Sequence, residues 1–361
     1  MASVENAEEI VRRLTRKYGY LDEEMMSDIG KWNPKYRRAI DENWLAIENT
    51  AAHSIKTLAK QIYGSGARFV FELLQNAEDN SFSKTTDKPY ISFNVYEDRI
   101  VVECNEDGFT EQDLGAICAV GKSTKSTSYG YIGAKGIGFK SVFIAAWKVH
   151  IQSGNFSFEF RHKRDDPGLG MVRPIWMPTN EKLERPLTRM TLYFHDEGDP
   201  DELQRLKSII LKQLDDLQQT SLLFLKKLQR VKIVFYGKDG RVEAWKEFRK
   251  RQVDKYRMAL DTEILKDDET RKESQIYHTT TLKAHGIARS DNRDLSNTDD
   301  TQTISTSAEV VLAFPLTAEF KPLVNTKKKQ EIFAFLPVRE SDYKVRFHMV
   351  PLDPKLSTQN D

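Results

Sequence analysis

The spacing of apolar residues predicts an amphipathic α-helix over residues 66–80. At about 100° per residue, one side of this helix carries the apolar residues Val70, Leu73, Leu74 and Ala77. The opposite side carries the polar residues Glu72, Gln75, Asn76 and Asp79. A polar helix face most often contacts solvent, so the pattern alone assigns these side chains no chemical role.

Alternation of apolar and polar residues over 90–104 predicts a β-hairpin after this helix. The second strand of the hairpin runs directly into residues 105–108, which read Asn-Glu-Asp-Gly. Thr110 then has the properties of a helix N-cap, and Asp113 follows three residues later with the spacing of a capping box. We therefore expect a turn and then a short helix that ends near Gly121.

Two glycine-containing stretches follow. Residues 122–131 are small and polar, which predicts a loop, and residues 133–141 (GAKGIGFKS) lead into a helix predicted over 142–146. The second stretch departs from a phosphate-binding P-loop, because Phe139 separates its last glycine from the lysine. Backbone N–H groups at a helix start still favour anions, so this stretch remains a candidate phosphate site.

The rest of the chain mixes helical and strand patterns. Helices are predicted over residues 4–18, 43–62 and 199–219, with a loop between the first two. Strands are predicted at residues 147–152, 155–161, 188–195, 309–316 and 330–338, and residues 222–237 open a second unit made mostly of strands. Residues 288–308 are polar and are expected to be a disordered loop.

Composition limits the class of protein. The chain has 361 residues, 55 Lys and Arg against 54 Asp and Glu, and a net charge of +1. This balance gives no general electrostatic reason to expect nucleic acid or a membrane surface as partner. Two cysteines cannot make a disulfide framework, and no stretch approaches the roughly 18 apolar residues of a membrane span. We expect a soluble intracellular protein, in the cytoplasm or nucleus.

The order of these elements resembles the N, G1 and G2 boxes of the GHKL ATPases, named for gyrase, heat-shock chaperone, histidine kinase and MutL. Residues 71–80 (FELLQNAEDN), 104–125 (CNEDGFTEQDLGAICAVGKSTK) and 130–143 (GYIGAKGIGFKSVF) look like the ATPase region of the sacsin and NO VEIN-like family. Within that family, NO VEIN-type proteins, fungal relatives among them, match best. The strong resemblance covers about residues 45–195, with weaker similarity at 222–228 and 331–338.

The resemblance implies an α/β two-layer sandwich of the Bergerat type, with the nucleotide between a helical layer and a mobile lid. It divides the chain into a helical lead-in (1–45), an ATP-binding domain (46–198) and a long helix followed by a partial α+β domain (199–361). The lid is expected at about residues 109–132. Relatives usually continue further, so a truncated or divergent form is expected.

The resemblance also implies roles for single residues. Glu72 matches the general base that activates the attacking water, and Asn76 matches the residue whose side-chain oxygen binds Mg²⁺. Asp79 resembles a residue that borders the adenine and ribose. Asp107 matches the aspartate that accepts a hydrogen bond from the adenine amino group, and Gly108 permits close approach of the base.

The phosphates are expected on the glycine-rich stretch, whose nucleotide-binding residues are Gly133, Gly136, Ile137, Gly138 and Phe139. Lys122 or Lys140 would add positive charge, and spacing does not choose between them. Thr188 stands where relatives have a threonine near the adenine, although Leu187 replaces the glycine before it. Lys327, Lys328 and Lys329 are candidates for a cation aimed at the γ-phosphate.

One departure concerns the G1 box, which should read Asp-x-Gly-x-Gly. Here Asp107 is followed at once by Gly108 and then by Phe109, so the aspartate is shifted by one position. NO VEIN-like relatives share this degeneracy, which implies altered adenine packing.

The expected function is therefore binding of ATP and ADP, with slow Mg²⁺-dependent hydrolysis that closes and opens the lid as a chaperone-like switch. The competing hypothesis is a nucleotide-binding scaffold or adaptor with little hydrolysis. A histidine kinase is disfavoured, because we find no dimerisation helix pair carrying a phospho-acceptor histidine. The protein partner or client, and whether the chain forms a homodimer, stay open.

Overall fold

A computed structural model describes residues 4–18, 23–43, 69–119, 138–163, 168–179, 181, 183–184, 186–284, 308–323, 333–334 and 336–337. Within this part of the chain, a mixed sheet of 11 strands forms the centre, and α-helices pack against it. The protein is therefore a mixed α+β structure built around one large sheet.

The described residues include the following α-helices. They are α1 (Val4–Lys17), α2 (Glu23–Trp32), α3 (Phe69–Asp79), α4 (Glu111–Cys118) and α5 (Pro200–Asp216). Residues 34–43 are also helical and follow α2 after a break at Asn33. Three 3₁₀ helices span Gly138–Ile144, Gly168–Met171 and Gln219–Phe224.

The strands are β1 (Tyr90–Val95), β2 (Arg99–Cys104), β3 (Ala146–Ser153), β4 (Phe156–Arg161), β5 (Ile175–Trp176), β6 (Thr188–Phe194), β7 (Arg230–Tyr236), β8 (Val242–Gln252), β9 (Arg257–Lys266), β10 (Glu269–Ala284), β11 (Ala308–Leu316), β12 (Phe333–Ala334) and β13 (Leu336–Pro337). The large sheet has the order β11-β10-β9-β8-β7-β1-β2-β6-β3-β4-β5, and β12 pairs with β13. Strands β1 and β7 pair in parallel.

One face of the sheet is identified by the burial of alternate residues. On β2, Ile100, Val102 and Cys104 are buried between less buried neighbours, and alternate residues of a strand share a face. The pairing of β2 with β6 places Thr188 directly beside Cys104, and the pairing of β6 with β3 places Ser153 directly beside Thr188. Directly paired residues lie on the same face. These two polar residues therefore lie on the core face of the sheet, at the ends of their strands.

Helix α1 packs against this part of the sheet, at β4 and β5. Its buried residues are Ala7, Ile10, Val11 and Leu14. The Thr15 hydroxyl donates a hydrogen bond to the Pro174 carbonyl at 2.5 Å, and Arg173 Nε donates to the Tyr18 carbonyl at 3.0 Å. The expected helical lead-in thus contributes part of the core.

Several local predictions are confirmed. The hairpin of β1 and β2 forms with antiparallel pairing, and α3 ends at Asp79. The Thr110 side chain accepts from the Asp113 N–H at 3.2 Å, and the Asp113 carboxylate accepts from the Thr110 N–H at 2.8 Å. This reciprocal pair is the predicted capping box at the start of α4.

Other local predictions were wrong. The helix predicted over residues 142–146 is a 3₁₀ helix that ends at Ile144, because strand β3 begins at Ala146 and pairs with β6. The helix predicted over residues 199–219 is present as α5, but it ends earlier, at Asp216, and residues 219–224 form a 3₁₀ helix before β7. The stretch between α1 and residue 43, predicted as a loop, contains α2 and the helical residues 34–43.

Some predictions lie outside the described residues. They are the helix at 43–62 beyond its first residue, the lid from residue 120 onward, and the polar loop up to residue 307. The domain division stays a prediction, and β7, which follows the predicted boundary at 198, pairs with β1 in the same sheet. Among the described helices, none combines the length and apolar character needed to span a bilayer.

Candidate functional site

The polar side of α3 is not a solvated face. Glu72 and Asn76 are half-buried, and Asp79 is only 7% exposed. Buried polar side chains lose hydration and need partners inside the protein or in a ligand. The structure therefore places all three predicted residues on one helix whose polar side is largely covered.

Glu78, which the sequence analysis did not single out, fixes the end of α3. Its buried carboxylate accepts hydrogen bonds from the main-chain N–H groups of Lys226 (2.5 Å), Lys227 (2.8 Å) and Leu228 (2.9 Å). The Lys227 ammonium in turn donates to two carbonyl oxygens at the end of α3, at 3.2 and 2.7 Å. The helix that carries Glu72 is thus held by the segment before β7.

Asp107 lies just after β2, where its carboxylate binds the loop that follows α3. It accepts from Ser83 N–H (3.0 Å), Ser83 Oγ (2.7 Å), Lys84 N–H (2.7 Å) and the Ser81 side chain. Partial burial raises the pKa of Asp107, but these hydrogen bonds outweigh it and lower the pKa to about 2. A carboxylate offers about four acceptor positions, so the loop fills the capacity of this side chain.

The same loop is fixed at further points to the end of β2. Asn105 Nδ2 donates to Thr85 Oγ1 at 2.9 Å, and Asn105 Oδ1 accepts from the Tyr90 N–H at 2.8 Å. Gly108 has a φ of 92°, and a side chain there would meet Ser153 Oγ at 3.5 Å. Gly108 is therefore suited to the left-handed turn that brings the backbone against Ser153.

We predict that Asp107→Asn lowers the free energy of unfolding by about 1–2 kcal/mol at neutral pH, through loss of charge-assisted hydrogen bonds at a partly exposed site. The folded-state pKa lies below the ordinary value of 3.8, so this stabilisation is fully present above that value and is lost as the pH falls through about 2. Urea unfolding of the wild-type protein and the variant at pH 7 and pH 3 measures the difference in their free energies of unfolding. The exposed Asp41→Asn is the control, and equal stability of the two variants at pH 7 would contradict the prediction.

A second polar cluster lies on the core face of the sheet. Thr188, Ser153 and Glu106 are 3%, 1% and 4% exposed. The Phe109 N–H donates to Ser153 Oγ at 2.8 Å, Ser153 Oγ lies 2.6 Å from Thr188 Oγ1, and the Thr188 hydroxyl donates to a Glu106 carboxylate oxygen. Each hydroxyl has one proton, so Ser153 donates to Thr188 while Thr188 donates to Glu106.

Sequence reasoning found Thr188 in this strand-end cluster but missed Ser153 and Glu106. Ser153 carries no sequence signal, because its position beside Thr188 depends on the pairing of β3 with β6. Glu106 did carry a signal: it stands two residues before Gly108 and keeps the acid-x-Gly spacing of the G1 box. The structure joins Thr188 to this glutamate.

Lys140 points into the protein. The residue is only 1% exposed. Its ammonium group donates hydrogen bonds to the carbonyl oxygens of Ile117 (2.5 Å) and Met171 (2.6 Å). Desolvation lowers the pKa of Lys140 to about 8, against a smaller opposing effect of Cys118. Lys140 therefore ties α4 to the 3₁₀ helix that starts at Gly138, and its ammonium is committed to carbonyl oxygens.

Most of the remaining residues predicted to bind phosphate lie outside the described residues. Gly138 begins a 3₁₀ helix, and the Phe139 side chain is buried in the core. The other predicted phosphate-site and γ-phosphate residues lie outside the described part of the chain: Lys122, Gly133, Gly136, Ile137, Lys327, Lys328 and Lys329. Their roles stay predictions.

Two clefts border this region. One, of about 410 Å³, lies beside Asp107 and Gly108 and is closed by Asn6 and Ile10 of α1. The other, of about 430 Å³, lies between α5 and the residues of β3 and β6, with Trp147 and Tyr193 in its wall. Both fall within the usual size range of ligand pockets. Neither is lined by Glu72, Asn76 or Thr188.

Comparison with known proteins gives a distant relationship. No protein-family model matches the chain. One solved structure, the N-terminal domain of a DNA repair protein, superposes with a TM-score of 0.35 and 14% sequence identity, covering 52% of this chain and 55% of that chain.

A curated relative has a higher sequence identity. The protein NO VEIN of Arabidopsis thaliana is 34% identical over 188 residues, which is 49% of this chain. The chain spans 7% of the length of that plant protein. Over about half of its length, the chain is thus similar to a NO VEIN protein.

Proposed function

We propose that the chain binds ATP on the core face of the sheet, between α3 and the ends of β2, β3 and β6, in a Bergerat-type arrangement. The observation that carries this proposal is the strand-end cluster of Ser153, Thr188 and Glu106. Polar groups at such a buried place reduce stability relative to an apolar core, which favours a role in binding. Thr188 is also the threonine that the family resemblance expects near the adenine.

Two residues of α3 are suited to the phosphate end of a nucleotide. A carboxylate at Glu72 and an amide at Asn76 lie one helical turn apart on the same side of α3, both half-buried. Oxygen ligands of this kind suit Mg²⁺, which usually takes one or two protein ligands and the phosphates. Among the described residues, no group of three or more His, Cys, Asp or Glu could hold a metal ion alone. The nucleotide would complete the site.

In the proposed reaction, Glu72 orients the attacking water and takes its proton, while the Asn76 side-chain oxygen holds the metal. A Mg²⁺ ion held there would neutralise the negative charge that develops on the phosphate oxygens. Lys140 holds α4, which forms the first part of the predicted lid, to the 3₁₀ helix that starts at Gly138. We propose that lid closure over ATP makes the domain a slow conformational switch.

Thermal unfolding with added nucleotide tests this function. A ligand that binds only the folded state at 100 times its Kd adds about 2.7 kcal/mol to the free energy of unfolding. We expect MgATP and MgADP to raise the melting temperature by several degrees, and MgGTP and tripolyphosphate to raise it much less. No shift with millimolar MgATP, or equal shifts with all four ligands, would contradict adenine-nucleotide binding.

A further inference from the structure

We propose that a surface at the end of α2 and in the helical residues 34–43 binds single-stranded nucleic acid. The surface combines two exposed aromatic rings with four cations, on both sides of the break at Asn33. Its residues, which we call the aromatic–basic patch, are Lys31, Trp32, Lys35, Tyr36, Arg37 and Arg38. None of the six belongs to the proposed ATP site, so binding here is a separate activity.

The two rings of the patch stack on each other in solvent. Trp32 is 79% exposed and Tyr36 is 53% exposed. Their ring centroids are 5.7 Å apart and their planes differ by 20°. The Tyr36 N–H donates to the Asn33 carbonyl at 3.1 Å, which closes the turn between the two rings. Large aromatic side chains that hold each other in place offer flat faces to a planar ligand at a small entropic cost.

Positive charge is concentrated around these rings. Residues 31–38 contain four cations and no acid, although the whole chain has a net charge of only +1. Asp28 and Asp41, outside this stretch, each pair with one of the four cations, at 3.1 and 3.9 Å. The side chains of Lys35 and Arg38 are exposed and form no ion pair within the described part of the chain. The patch therefore carries uncompensated positive charge, and its electrostatic complement is a polyanion.

The combination of rings and cations selects among polyanions. Lysine and arginine bind the phosphates of any nucleic acid, and aromatic side chains stack on unpaired bases. In a duplex the bases stack on one another, so their faces are closed to a protein ring. An acidic peptide would satisfy the cations but would leave the ring faces without a planar partner. A single strand satisfies both components, and both act alike on RNA and DNA.

A lipid surface is the other partner that exposed aromatic and basic residues can favour. Binding in the plane of the interface needs a continuous apolar face on the helix. Residues 34–43 carry only Tyr36 and Ile40 as large apolar side chains, and they also contain Asp41 and Glu42, which anionic headgroups would repel. The composition of this helix thus favours nucleic acid over a membrane.

Binding of the full chain to fluorescent oligonucleotides tests the proposal. The probes are a single strand of mixed sequence, as DNA and as RNA, and the matching DNA duplex, all without ATP. Fluorescence anisotropy gives the dissociation constants. We expect the constant for single strands to rise roughly tenfold when the salt concentration is raised fourfold, as for about two to three phosphate contacts. The duplex should bind at least about fivefold more weakly than the single strands.

Three variants separate the components of the patch. Trp32→Ala should weaken single-strand binding about tenfold, because one stacked base is lost, and should leave the salt dependence unchanged. Lys35→Gln together with Arg38→Gln should weaken binding and lower the slope of log Kd against log salt concentration by about 1.4. The control pair Lys238→Gln with Arg241→Gln, whose side chains are 86% and 88% exposed, should change neither quantity.

No single-strand binding by the wild-type protein at low salt would overturn the proposal, and so would equal binding of the duplex. Unchanged binding in both patch variants, or an equal loss in the control pair, would place the nucleic acid elsewhere. Without oligonucleotide binding, Trp32-dependent binding of anionic phospholipid vesicles would assign the patch to lipid, and self-association lost in Trp32→Ala would assign it to a second copy of the chain. MgATP should still raise the melting temperature of the patch variants, so the proposed function is tested separately.

Discussion

Replacing Glu72 by glutamine is expected to lower the rate of ATP hydrolysis at least about 100-fold, which is the usual contribution of a general base. The amide is similar in size but cannot take the proton of the attacking water. Because Glu72 acts on the attacking water and not on the adenine ring, the dissociation constant for MgATP should change less than about threefold. Single-turnover hydrolysis and equilibrium binding of the same protein preparation give both quantities.

Glu202→Gln on the exposed side of α5 is the matched control and should keep wild-type turnover. Unchanged hydrolysis in Glu72→Gln would show that this residue is not the base. Nucleotide binding with no measurable hydrolysis in the wild-type protein would favour the alternative function, a nucleotide-binding scaffold. That second result would leave the strand-end cluster as the binding site and would remove the catalytic role of α3.

Replacing Glu78 by alanine is expected to lower the free energy of unfolding by about 3–5 kcal/mol, because it removes a buried charge with three main-chain donors. The N–H groups of residues 226–228 would lose their acceptor, and the end of α3 would lose its attachment to the segment before β7. Urea unfolding followed by tryptophan fluorescence measures the change.

The exposed Glu111→Ala change in the first turn of α4 is the comparison, and we expect a loss below about 1 kcal/mol there. Glu78→Gln keeps one oxygen acceptor and should fall between the two. A loss below about 1 kcal/mol in Glu78→Ala would contradict the structural role of this carboxylate.

Features set by nearby residues could be predicted from the sequence. The helix α3, the hairpin of β1 and β2, and the capping box of Thr110 with Asp113 depend on contacts within a few residues. The segment that starts at Gly138 forms a 3₁₀ helix and not the predicted α-helix, because Ala146 belongs to β3 and pairs with β6. Helix propensity of nearby residues gives no information about that strand pairing.

The candidate site was predicted only in part for the same reason. Thr188 and Glu106 are 82 residues apart, and Glu78 lies about 150 residues from its donor Leu228. Such contacts depend on strand register and on the position of the segment before β7, which one sequence does not specify. The sequence nevertheless holds the acid-x-Gly spacing of Glu106 and Gly108, whose meaning becomes clear once Thr188 is placed beside that acid.

The most direct test of the central claim is hydrogen–deuterium exchange of the full chain with and without MgATP. With MgATP we expect slower exchange in the peptides that contain residues 71–80, 104–110 and 186–190, because the nucleotide would cover α3 and the ends of β2 and β6. Protection confined to peptides at 145–147 and 193–210, around the cleft beside α5, would place the nucleotide there and contradict binding at the ends of β2 and β6.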